Sequence, residues 1–155
     1  MIKVMFICHG NICRSPMAEF VFKDMVTKKG LEDMFYIASS ATCTEEIGNP
    51  VHHGTRKKLK EYGIETTGKR AVQLKKEDYN QYDYLIGMEQ RNITNIIRII
   101  EKDENSKVKR LLDFTSNPRD IDDPWYTGNF TKTYEDVYEG CLFLLNYIVN
   151  TSFKI

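Results

Sequence analysis

Four short apolar runs, Lys3–Ile7, Met34–Ala38, Tyr82–Met88 and Val108–Phe114, recur along the chain at strand length. Between them the apolar positions change to a helical period. Met17, Phe20, Val21 and Met25 lie at helical spacing after the first run, as do Ile93, Ile96, Ile97 and Ile100 after the third. The last segment carries a longer stripe, Tyr134, Val137, Tyr138, Cys141, Leu145 and Ile148, which predicts a helix with one buried face. Strands alternating with helices argue for βαβ units and therefore for an α/β fold with a parallel sheet. No repeat, low-complexity tract or linker divides the 155 residues, so 1–155 is expected to be a single domain with a sizeable core. Ligands of such sheets collect beyond the carboxyl ends of the strands, and Cys8 follows the first one.

The segment at that end is Cys8-His9-Gly10-Asn11-Ile12-Cys13-Arg14-Ser15-Pro16. A strand running into a tight loop and then a helix aims backbone N–H groups and a helix N-terminus at one point, which suits an anion. Arg14 adds a planar fork for two phosphate oxygens. Cys8 is the strongly nucleophilic group of the loop, in surroundings that favour a thiolate. The combination specifies phosphoryl transfer to sulfur. Gly10 and Asn11 are expected to supply left-handed backbone, with the Asn11 amide bracing the loop. Ser15 is placed to cap the following helix or to donate to the Cys8 sulfur, and Pro16 suits the first helical position. A zinc site from Cys8, His9 and Cys13 is disfavoured, because Cys43 and Cys141 form no second pair at metal-ligand spacing and read as structural.

Departure of an oxygen leaving group needs a positioned acid. Asp123-Pro124 reads as a fixed loop able to hold a carboxyl over the cradle, with Asp122 adjacent. Twenty-two basic and twenty-two acidic side chains cancel, so no overall field attracts nucleic acid or an anionic membrane. Arg56-Lys57-Lys58 and Lys69-Arg70 read as solvated faces. The opening apolar run is too short for a signal peptide or a membrane span, and four cysteines with one needed as a free thiol fit a reducing cytoplasm.

These motifs resemble the low-molecular-weight protein tyrosine phosphatases, in a bacterial-like form. The likeness extends through Ser39-Ser40-Ala41-Thr42, Gly48-Asn49-Pro50, Gly68 to Leu74, Asp83 to Met88, and Asp123-Pro124-Trp125-Tyr126. It implies a twisted four-stranded parallel sheet of order 2-1-3-4, helices on both faces and the phosphate-binding loop after strand 1. It further implies a Cys8 nucleophile, an Arg14 clamp, Asp123 as acid and base because it immediately precedes the proline, and a phosphocysteine intermediate. His9, Gly10, Asn11, Ile12, Cys13, Ser15 and Ser39 form or support the loop. Trp125, Tyr126 and, at a rim position where relatives carry an aromatic, Glu45 are expected to wall the substrate.

No metal or cofactor is implied, since Arg14 and the backbone supply the positive potential. The implied partners are phosphotyrosine proteins, a tyrosine kinase that makes them, and inorganic phosphate as product. In the family a residue at Cys13 closes a reversible disulfide onto the nucleophile. Lys69 stands where animal relatives have a histidine supporting Asn11. Three other readings compete: a protein arginine phosphatase, whose members tend to carry threonine at Ile12; a thioredoxin-coupled arsenate reductase, which needs two further adjacent cysteines; and a non-catalytic phosphate-binding module, which has no use for Cys8 with Asp123.

Overall fold

The computed structural model describes residues 1–153. Strand β1 (Ile2–Cys8) leads through the loop into α1 (Arg14–Lys28), and β2 (Phe35–Ala41) follows after a short 3-10 turn. Next come α2 (His53–Lys60), α3 (Asp78–Gln81), β3 (Tyr84–Gly87), α4 (Gln90–Ile100) and β4 (Val108–Arg110). The chain ends with the one-turn α5 (Pro124–Thr127) and the long α6 (Phe130–Ser152). The strand pairings of the sheet are parallel and the order is β2-β1-β3-β4, as the resemblance implies.

Alternation along β1 divides the interior. Val4 and Phe6 face a core completed by α1 and α6, including Phe22, Val137 and Leu144, whereas Met5 and Ile7 join Leu85, Ile96 and Ile100 of β3 and α4 on the other side. A strand buried on both faces reads as a continuous apolar run, which is why this one is so visible in the sequence. Phe22 stands edge-on to Phe6 at 5.5 Å between centroids and to Phe35 at 5.8 Å.

Three expectations shift. The run Val108–Phe114 is a strand only to Arg110, because the Asp113 carboxylate accepts from the Arg110 backbone N–H at 2.9 Å and winds Leu111–Phe114 into a 3-10 turn. That turn buries Leu111 and Leu112 together, which alternating strand geometry does not allow. In α1, Phe22 and Val26 are buried deeper than the expected Phe20 and Met25. In α6, Tyr138 is 45% exposed and Leu144 takes its place in the core. Helix α6 also lies close against the 3-10 turn: a Cβ on Gly140 would stand 2.4 Å from Leu111 Cγ, so only glycine fits there.

Candidate active site

Between β1 and α1 the chain passes through residues 9–13, and the carbonyls of this loop are held from outside. Cys8 O accepts from Thr42 N, His9 O from Cys43 N and Ile12 O from His52 N, at 2.8 to 3.0 Å. Cys13 O takes the Thr55 hydroxyl at 3.2 Å. With these carbonyls tied outward, N–H groups turn inward. Asn11 N and Ser15 N reach the Cys8 sulfur at 3.3 and 3.4 Å, and Ser15 Oγ lies 3.0 Å from it. Two N–H donors and the Ser15 hydroxyl therefore converge on one sulfur at the N-terminus of α1.

Asn11 alone in the loop is left-handed, at φ 59°. Gly10 is not, contrary to expectation; its lack of a side chain gives room instead to Glu46, whose Cγ would be 3.3 Å from an added Cβ. The Asn11 amide donates to Ser15 Oγ at 2.8 Å and Ser39 Oγ at 2.9 Å, and its oxygen accepts from Val72 N. Ser15 does not cap α1: it is already the second helical residue, with its hydroxyl directed at Cys8. Pro16 is third rather than first, still within the turn whose N–H groups lack intrahelical partners.

Behind Ser39 lies Glu19, which the sequence reading missed. It is 4% exposed and accepts the Ser39 hydroxyl at 2.6 Å. Lys69 is not on a solvated face. Its ammonium donates to Ser39 O at 2.9 Å and stands 3.9 Å from Glu19; burial holds it below its ordinary pKa despite that carboxylate. The position where relatives have histidine thus contributes a cation to the support of Asn11. Arg56 and Lys57 are exposed on α2, as expected.

Arg14 is 2% exposed, and its guanidinium is held along one edge. It ion-pairs with Glu89, donates to Ile121 O at 2.8 Å and reaches Asp123 Oδ2 at 3.3 Å. Burial works against its charge, but Cys8, Asp123 and Glu89 more than offset this and hold its pKa above the ordinary value. Glu89 caps the start of α4, where Asn92 accepts from the Met88 and Glu89 N–H groups and fixes the approach. Asp123 caps α5 by accepting from Trp125 N at 3.1 Å. The Cys13 thiol, buried and beside Cys8, is pushed up to about 12.

The resulting cleft is lined by Cys8, His9, Gly10, Ile12, Cys13, Arg14, Glu45, Glu46, Asp123, Trp125 and Tyr126. Asp122 is absent from that lining. Of the residues expected at the site, Asn11, Ser15 and Ser39 are bonded together beneath this lining and the others belong to it, with Glu46 added; Glu89, Glu19 and Lys69 stand behind them. Trp125 and Tyr126 are 57% and 80% exposed at its mouth. His52, given no role from sequence, is structural: Nδ1 accepts from Gly54 N to cap α2, and its ring stacks on Phe130 and meets Trp125 edge-on.

A parallel α/β sheet whose first strand delivers a cysteine into an arginine-closed anion cradle, with a carboxylate bonded to that arginine, defines a cysteine-dependent phosphoryl-transfer fold. The sequence profile of the low molecular weight phosphotyrosine protein phosphatases matches residues 3–152. The chain is 42% identical to the low molecular weight protein-tyrosine-phosphatase YfkJ of Bacillus subtilis over 94% of each chain, and the crystal structure of YfkJ superimposes with a TM-score of 0.95, covering 98% of this chain and 97% of that one. The low molecular weight protein tyrosine phosphatase of Streptococcus pyogenes matches at 39% identity and a TM-score of 0.86 over 99% and 97% of the two chains. The Drosophila arginine phosphatase matches at 27% and 0.85, over 94% and 97%. This chain belongs to the low molecular weight phosphotyrosine protein phosphatase family.

Proposed function

We propose that this chain, as one catalytic domain, hydrolyses phosphotyrosine in proteins through a phosphocysteine. The convergence of two N–H groups and the Ser15 hydroxyl on the Cys8 sulfur carries this reading, because it stabilises the thiolate both as attacker and as leaving group. In the first step the Cys8 sulfur forms a bond to phosphorus as the bond to the phenolic oxygen breaks, and Asp123 gives that oxygen its proton. Arg14 and the loop N–H groups hold the equatorial oxygens. In the second step water attacks phosphorus, its proton passes to Asp123, and the sulfur–phosphorus bond breaks to release orthophosphate.

Ile12 in the cleft and the aromatic pair Trp125 and Tyr126 at its mouth favour an aryl phosphate over phosphoarginine. An arsenate reductase relay is disfavoured by Cys141, which is fully buried on the face of α6 that packs against α1, with its thiol on Ala18 O. Burial holds Cys13 as a thiol, with its pKa pushed up to about 12. A peroxide would convert Cys8 to a sulfenic acid, and the Cys13 thiol would displace water from it to give a disulfide. Four free thiols fit a cytoplasmic setting in which a tyrosine kinase supplies the substrates. Among the described residues no helix is long and apolar enough to cross a membrane.

Phosphate release from phosphotyrosine, phosphoserine and phosphoarginine peptides, without added metal, tests the assignment. Phosphotyrosine turnover is expected to dominate, to vanish in Cys8→Ser and to fall by about 10²–10⁴-fold in Asp123→Asn. Dominant phosphoarginine turnover, or peptide binding with no phosphate released, would overturn it.

A further inference from the structure

His9, Cys43 and Glu45 lie on two segments that meet at the edge of the cleft. Their imidazole nitrogen, thiol sulfur and carboxylate oxygen lie within 4.8 Å of one another. The backbone bond from Cys43 N to His9 O, at 3.0 Å, pins the first two residues together. A turn closed by Ile47 N on Thr44 O brings Glu45 back towards them. Both His9 and Glu45 are exposed and Cys43 is half-buried, so the side chains have freedom to rotate.

We propose that these three residues bind a zinc-class divalent cation at the rim, and that its occupancy closes the cleft to substrate. One imidazole, one thiolate and one carboxylate are the donor types that zinc combines, with the fourth tetrahedral position open to water. Bond lengths of about 2.0–2.3 Å place tetrahedral ligand atoms about 3.3–3.8 Å apart, so a contraction of roughly 1 Å from the widest present spacing completes the set. Binding exchanges the Cys43 thiol proton for the metal and releases it to solvent. Since His9 and Glu45 also line the cleft, drawing them onto one ion narrows the path to Cys8. The role differs from catalysis, in which the loop and Arg14 supply the positive charge.

Cobalt(II) titration of the Cys8→Ser/Cys13→Ser protein isolates this thiol from those in the loop and reads binding without any reliance on phosphatase activity. One equivalent should bind with a thiolate-to-cobalt charge-transfer band, displaced by zinc, absent after a further Cys43→Ser substitution and weakened about tenfold or more by Glu45→Gln. In the otherwise native protein, zinc should inhibit turnover reversibly by chelator. Cys43→Ser should raise the inhibitory concentration about tenfold or more while leaving metal-free turnover within about twofold. No band, or a band that survives Cys43→Ser, would overturn the site. An inhibitory concentration unmoved by Cys43→Ser would overturn the closure, since the metal would then be acting at Cys8.

Discussion

Arg14 illustrates how a single side chain is prepared for its task. A guanidinium has five N–H donors in a rigid fork, and here one edge is anchored by Glu89, Ile121 O and Asp123, which sets the direction of the rest. Removing the Glu89 carboxylate leaves a buried cation short of an acceptor, whereas an amide keeps one hydrogen bond. Glu89→Ala is therefore expected to lower kcat/KM by about tenfold or more, a loss on the order of 1.5–3 kcal/mol, with Glu89→Gln retaining more activity. Steady-state kinetics on a phosphotyrosine peptide checks this, and equal losses in the two variants would argue against hydrogen-bond positioning. Cys8, Arg14, Asn11 and Ser15 are legible from sequence because they crowd into eight residues whose spacing is itself the signal. Glu89 and Glu19 are not, and Lys69 is legible only as the position of a family histidine, since a surface charge and a buried partner look alike in a sequence until the fold brings them to Arg14 or Ser39.

Helix α2 shows the same dependence between elements. His52 caps it through an unprotonated Nδ1, packs on Phe130 at the start of α6 and meets Trp125 of α5 edge-on, so one ring joins three helices. Burial, then the neighbouring His53 and Arg56, lower its pKa from 6.5, with Glu46 opposing. On acidification the unfolded chain takes the proton first. The contribution of His52 to stability is thus complete above about pH 6.5 and lost as pH falls through the folded value. His52→Asn keeps an acceptor at the cap but no titration, and should flatten the decline in Tm between about pH 6.5 and 5. Thermal melts across that range decide it; parallel declines in both proteins would remove His52 as the cause. Among the elements, those with one plain periodicity were readable: β1 from its continuous apolar run and α4 from its isoleucines. The 3-10 turn after β4 was not, because Leu111 and Leu112 continue a strand-like run and only the reach of Asp113 back to Arg110 stops it.

At the scale of the molecule, the cleft gathers the end of β1, the start of α1, the Glu45–Glu46 turn and the segment from Asp123 to Tyr126. An oxyanion held there binds the folded chain alone and must stabilise the whole structure. Orthophosphate at about 100 times its dissociation constant should add about 2.7 kcal/mol, seen as a rise in Tm that Arg14→Ala abolishes. A rise that persists in Arg14→Ala would place the anion elsewhere. The parallel α/β architecture was readable from alternating patterns alone, whereas the strand order came with the family likeness, since apolar runs state that strands exist and not which are neighbours.

The wide separation of Arg14 from its partners along the chain has a consequence for biosynthesis. Cys8 and Arg14 are synthesised before Glu89 and Asp123, which lie 75 and 109 residues beyond Arg14. A nascent chain accordingly displays a thiol and a guanidinium that nothing yet orients. Products truncated before Glu89 therefore carry the motif without the partners that set Arg14.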